Sequence, residues 1–173
     1  MTIKKICMNA MGIAMFVALT LCLQVPVFEN YYLCLGYIVM AFYLYHFGMG
    51  SGVLTGTLGV MIYCFITGGL RGMPGWVLGN VVIGIICGRL LHYIKRQSEG
   101  KKRRIMIVGA VIFSTAIGIL GVKSLVEVYL YSLPFAVRIA NNIYAFIADV
   151  IVLLVGFELC STREIIWRKV LEE

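Results

Sequence analysis

The sequence predicts an all-α membrane protein: one integral domain, residues 1–173, with six transmembrane helices, both termini in the cytoplasm and a ligand pocket near the extracellular face. The first observation behind this is composition. The chain is 61% hydrophobic and 13% charged, with a mean hydropathy of +0.96, whereas soluble domains are roughly half apolar and about a quarter charged. A soluble core of this size cannot hide so much apolar surface, so the surrounding solvent must be lipid. The second observation is run length. A helix needs roughly 20 apolar residues to cross a hydrocarbon slab about 30 Å thick. Apolar runs lie at about 6–25, 33–47, 52–70, 76–94, 105–126 and 139–160, the second being shortest. Barrel-type alternation is absent, and helices satisfy their own backbone in lipid.

The third observation is the placement of charge. With the amino terminus inside, the inner ends hold Lys4, Lys5, Arg89, Lys95, Arg96, Lys101, Lys102, Arg103, Arg104, Arg163, Arg168 and Lys169, 12 of the 15 basic residues. Only Arg71, Lys123 and Arg138 fall outside, which is the positive-inside bias. The net charge of +7 is therefore topological. The run Lys101-Lys102-Arg103-Arg104, in a basic cytoplasmic loop at 95–104, reads as an anchor on anionic headgroups rather than a nucleic-acid site.

Helix 1 begins just after Lys4-Lys5, and no small-x-small cleavage site followed by a soluble domain marks it as a signal peptide. It is read as a permanent span. Ala10, Ala14 and Ala18 recur every fourth residue with Gly12 nearby, a small-residue stripe that allows close helix approach. Packing within the chain and packing on a partner both fit it. Pro26 ends the helix, and the first outer loop then presents Glu29, Asn30, Tyr31 and Tyr32. These suit either an interfacial aromatic belt or ligand contacts.

Helix 2 leads to an inner turn, Gly48-Met49-Gly50-Ser51-Gly52. This is not a dinucleotide fingerprint, because the third glycine, Gly56, falls one residue late and no strand precedes it. No GKS or GKT follows, which excludes a P-loop. Gly52, Gly56 and Gly59 instead favour tight packing of helix 3. Helix 3 delivers the chain to Arg71-Gly72-Met73-Pro74-Gly75-Trp76-Val77-Leu78-Gly79-Asn80, which sets an arginine, an indole and an amide beside a glycine-rich turn. Pro74 suits the first turn of helix 4. Trp76 and Asn80 share a face with Gly84 and Gly88, and an amide inside a span must find partners or line a wet cavity.

On helix 5, Lys123, Glu127 and Tyr131 follow at four-residue steps as a polar ridge. That ridge could be a local ion pair or part of a pocket that orients a ligand. Helix 6 opens after Pro134 with Arg138, Asn141 and Asn142, and carries Asp149 deeper on the face of Arg138 and Asn142. Such a charge faces inward, protonated or paired. The tail from Arg163 to Glu173 is amphipathic, with Trp167 at the headgroups. The six cysteines form no CxxC or CxxxC pair and have no histidine at ligand spacing, so buried free thiols are expected, with no metal or cofactor.

The polar residues thus concentrate in the outer half, which suits a pocket open to the outside rather than a through-going relay. No nucleotide motif and no catalytic set accompanies them: His46 and His92 stand isolated near the inner edge. The chain resembles the S components, the substrate-capturing subunits of energy-coupling factor (ECF) vitamin importers. The resemblance covers nearly the whole chain. It rests on size, six spans, the Ala10-x-x-x-Ala14 stripe, and Gly72-Met73-Pro74-Gly75-Trp76-x-x-Gly79-Asn80-x-x-x-Gly84-x-x-x-Gly88 opening helix 4.

The resemblance implies a non-catalytic subunit of the bacterial cytoplasmic membrane. Its partners would be a transmembrane coupling subunit and two cytoplasmic ATPases, with no nucleic acid. The alanine stripe, Ala10, Ala14 and Ala18, would dock on the coupling subunit, and the subunit would topple in the membrane to release its cargo. The vitamin would lie under the outer loops against helices 4 to 6. The candidate ligand-binding residues are then Asn80, Trp76, Arg71, Asn30, Tyr31, Lys123, Glu127, Tyr131, Arg138 and Asn142. Mixed charges, amides and aromatics at this mouth favour a pyridoxine- or hydroxymethylpyrimidine-like compound, or pantothenate; riboflavin requires a larger aromatic slot. The competing reading is a six-helix scaffold of the cell-shape type, with an intramembrane enzyme a distant third.

Overall fold

The computed structural model describes residues 3–22, 25–28, 31–97, 100–132 and 134–172. In chain order the elements are α1 (Ile3–Cys22), β1 (Val25–Phe28), β2 (Tyr31–Leu33), α2 (Gly36–His46), α3 (Met49–Thr67) and α4 (Met73–Gln97). α5 (Gly100–Thr115) follows and runs through a π-helical stretch (Ala116–Lys123) into α6 (Ser124–Tyr131), and α7 (Phe135–Glu172) completes the bundle. Five segments are long and apolar enough to cross a membrane: Ile3–Cys22, Met49–Thr67, Met73–Gln97, Lys101–Tyr131 and Phe135–Thr162.

The expected second span, 33–47, is different. Its helix, α2, has 11 residues, about 16 Å at a rise of 1.5 Å per residue, roughly half of a 30 Å slab. The missing length precedes it as an antiparallel hairpin, in which Val25 pairs with Leu33, Pro26 with Tyr32 and Phe28 with Tyr31. The fold is therefore a helical bundle with one small β element, not a purely α one, and part of the segment expected to be loop is strand. Residue types explain this. Pro26 pushes its neighbour out of the helical region, while Val25, Val27, Phe28, Tyr31 and Tyr32 are β-branched or aromatic and favour extended backbone. Two strands alone are marginal, and these two pack against α7.

The basic loop expected at 95–104 is also largely helical: α4 continues to Gln97 and α5 starts at Gly100. Lysine and arginine are good helix formers, and Lys95 and Arg96 complement the carbonyl end of α4. Tyr45 ties this end together. Its carbonyl oxygen accepts from Lys95, whose Nζ lies 3.5 Å from the ring centroid, and its hydroxyl accepts from Arg103 Nη2 at 2.5 Å. We call this the basic end, and the opposite one, which carries the hairpin, the hairpin end.

The glycines of α3 face side chains they could not face as larger residues. Leu44 lies against Gly52, Met40 against Gly56 and Phe16 against Gly59, in a core built around Tyr37, Phe16, Met40, Ile83 and Phe157. α4 meets the π-helical stretch backbone to backbone, since a Cβ at Gly79 would stand 2.9 Å from the carbonyl oxygen of Gly118. Gly79→Ala is therefore expected to cost about 1–3 kcal/mol by overpacking, read as a lowered Tm of the detergent-purified protein. An unchanged Tm would mean that the crossing is looser than this geometry. None of the six cysteines forms a disulfide; Cys34, Cys64, Cys87 and Cys160 are buried as expected, but Cys7 and Cys22 are exposed.

Candidate ligand site at the hairpin end

Two polar networks occupy the hairpin half. The first joins α2, α3 and α4. Trp76 Nε1 donates to Tyr37 Oη at 2.8 Å, the Tyr37 hydroxyl donates to Asn80 Oδ1 at 2.6 Å, and Asn80 Nδ2 donates to the Gly56 carbonyl at 3.1 Å. The Trp76/Asn80 stripe meets α3 where Gly56 has no side chain to block the amide. The stripe continues with Gly84 against Val53 and Gly88 against Met49. Tyr63 adds an aromatic edge to Trp76, with ring centroids 5.8 Å apart at 81°. Tyr37 and Asn80 have no exposed surface.

The second network joins α6 and α7. Asn142 Nδ2 donates to Ser124 Oγ at 3.0 Å and to Glu127 Oε2 at 3.1 Å, and Ser124 Oγ donates back to the Ile119 carbonyl at 3.3 Å. Arg138 Nη1 stands 3.8 Å from the same Glu127 oxygen. This network is incomplete: Arg138 Nε and Asn142 Oδ1 are buried with no hydrogen-bond partner among the described residues. An orphaned buried donor or acceptor costs about 1–3 kcal/mol, and these two belong to residues one helical turn apart on α7.

Lys123, at the end of the π-helical stretch, stands between the two networks. Its side chain and that of Glu127 flank Gly75 of α4, where a Cβ would lie 3.3 Å from Lys123 Cγ and 3.2 Å from Glu127 Cγ. Lys123 is within electrostatic reach of Cys64 at the end of α3 and of Asp149 on α7, and Asp149 in turn interacts with Tyr37. Asp149 is buried. Wide π turns change which face a helix presents and recur at functional sites; this one turns Lys123, Ser124 and Glu127 together toward α4 and α7.

Residues 1–161 match the family model of the ECF-type riboflavin transporter S component. The chain belongs to that family. No curated protein matches it. An S component is the substrate-binding subunit of a membrane transporter and not an enzyme, which replaces the scaffold reading and accords with the spanning helices.

Within this S component the expected residues divide into groups. Trp76 and Asn80 are brought together, as are Lys123, Glu127, Arg138 and Asn142. Arg71 and Tyr131 pair with each other on an exposed edge: the guanidinium lies 5.0 Å from the Tyr131 ring centroid, and the Tyr131 hydroxyl donates to the Arg71 carbonyl. Asn30 and Glu29 lie outside the described residues, and Tyr31 is described by its backbone, in β2. Asn80, fully buried with its amide satisfied by protein groups, holds Tyr37 and Trp76 rather than lining open space.

Three participants were not among the sequence's candidates. Tyr37 is one of three tyrosines in apolar α2, Tyr63 is the one tyrosine of apolar α3, near its end, and Ser124 is an ordinary small residue; no spacing separates them from core or belt residues. Asp149 was legible as a buried acid but not as a neighbour of Lys123. On the other side of α1, Ala10, Ala14 and Ala18 are exposed and line a shallow groove of about 600 Å³ with Ile13, Val17, Leu21 and Ile62. The helix buries its other face through Asn9, Gly12, Phe16 and Thr20. The stripe therefore lies on the face that α1 leaves exposed.

Proposed function

We propose that this S component captures riboflavin at the hairpin end, on the outer side of a bacterial cytoplasmic membrane, and passes it inward with a transmembrane coupling subunit and two cytoplasmic ATPases. The observation that carries the substrate is the match of residues 1–161 to a family described by riboflavin transport. The basic end faces the cytoplasm by the positive-inside bias, which sets the hairpin outward and both termini inside.

Charge balance supports the same cargo. Arg138 stands beside Glu127, and Lys123 is within electrostatic reach of Asp149, so each of these half-buried cations has an acidic residue near it. Such a site suits an uncharged ligand better than the carboxylate of pantothenate. Pyridoxine-type compounds yield to the family's description. Riboflavin offers a flat three-ring system for Trp76 and Tyr63, carbonyl oxygens for Lys123 and Arg138, and ring N–H and ribityl hydroxyl groups for Asn142 Oδ1. Apolar walls with a few convergent polar groups are the usual make-up of a small-molecule site.

The test is calorimetric titration of the detergent-purified protein with riboflavin, pyridoxine and pantothenate, beside mass spectrometry of whatever small molecule co-purifies. Saturable binding of riboflavin, with no heat from the other two at the same concentration, is expected. Binding of pyridoxine or pantothenate in its place would overturn the assignment.

A further inference from the structure

A cavity of about 490 Å³ opens at the basic end, far from the site above, between the α2–α3 turn and α4. Its rim is basic: Arg89 and, one turn on along α4, His92 are exposed beside Lys95. Its inner wall is hydrocarbon, from Leu44, Phe47 and Leu91. Phe47 also lines a second, larger groove of about 870 Å³, which runs between α1, α2 and α7 over Met8, Met11, Met15 and Leu159. At its floor Gly156 of α7 packs closely against Ala41 and Ile38 of α2. Flexible methionine side chains adapt to irregular apolar partners.

We propose that these two features form one binding site for an anionic phospholipid of the inner leaflet. The headgroup phosphate sits among Arg89, His92 and Lys95, and an acyl chain passes Phe47 into the methionine-lined groove. Charge complementarity selects the occupant. A purely apolar partner would leave the basic rim unused, and a free anion would leave the groove unused. Only an amphiphile with an anionic head spans both. Basic pockets between helices on the cytoplasmic side are suited to such headgroups.

Native mass spectrometry of the full chain, with dioleoyl-phosphatidylglycerol, dioleoyl-phosphatidylcholine and inorganic phosphate as probes, tests this. Phosphatidylglycerol should be retained in preference to phosphatidylcholine, and phosphate should not displace it. The double variant Arg89→Gln/His92→Gln should lower phosphatidylglycerol occupancy by about fivefold or more, as loss of one surface cation near a lipid headgroup predicts. Lys101→Gln/Lys102→Gln, which removes two charges at the same end but outside the cavity, should lower occupancy clearly less than Arg89→Gln/His92→Gln does, although it removes more charge. Leu159→Trp, which fills the groove without touching the rim, should also reduce it. A thermal shift with phosphatidylglycerol, present in the wild type and absent in Arg89→Gln/His92→Gln, gives a readout independent of ionisation. Equal retention of phosphatidylcholine, equal loss in the Lys101/Lys102 control, or displacement by phosphate would overturn the proposal.

Discussion

Asn80→Ala is expected to weaken riboflavin binding by about tenfold or more, equivalent to about 1.4 kcal/mol. The amide touches no open surface; its effect passes through the groups it holds. Without Asn80 Oδ1, the buried Tyr37 hydroxyl loses its acceptor at 2.6 Å and is drawn toward Asp149, its other partner, so the Trp76 indole loses the fixed partner that sets its angle. A buried donor left unsatisfied costs about 1–3 kcal/mol, so a lower Tm should accompany the weaker binding. Tyr37→Phe separates the two effects, since it removes the hydroxyl while keeping the ring against Phe16, 6.0 Å away between centroids. If calorimetry found the wild-type affinity in both variants, the Trp76–Tyr37–Asn80 chain would be structural support with no part in recognition.

Ala14→Trp is expected to abolish uptake of labelled riboflavin by cells while leaving binding by the purified protein unchanged. Ala14 is exposed between Ala10 and Ala18, in the shallow groove lined by these alanines. An indole there fills that groove without meeting Gly12, Phe16 or Thr20, which α1 buries on its other side. Close approach between helices in lipid depends on small residues at the contact, so the cost falls on docking alone. Normal uptake by the variant would show that the coupling subunit engages another face. Loss of binding together with uptake would show that α1 supports the ligand site directly.

These residues also show how far the chain could be read without coordinates. The long spans were legible because hydropathy follows from composition alone, and α1, α3, α4 and α7 begin within a few residues of where the apolar runs begin. Boundaries that depend on competition were not. The hairpin at Val25–Phe28 and Tyr31–Leu33 arises from short β-favouring runs held by α7, a tertiary contact that has no local sequence mark. The π-helical stretch Ala116–Lys123 has the composition of an ordinary span. The four-residue spacing of Lys123 and Glu127, and of Arg138 and Asn142, did place those side chains together, because it measures helical faces directly. Tyr37 was invisible for the opposite reason: its partners, Trp76 and Asn80, lie 39 and 43 residues away in sequence, and nothing in α2 marks one tyrosine among several.

The protein has two tryptophans, and they allow a direct test of where the cargo sits. Trp76 belongs to the hairpin end, whereas Trp167 lies near the far end of α7, on the order of 37 Å along the helix from Asn142 at 1.5 Å per residue. Riboflavin absorbs where tryptophan emits and quenches it with a steep dependence on distance. In the Trp167→Phe protein, where Trp76 alone emits, riboflavin should quench the fluorescence strongly and saturably; with Trp76→Phe, at saturating riboflavin, Trp167 should be quenched much less. Stronger quenching of Trp167 than of Trp76 would place the vitamin at the basic end and contradict the account.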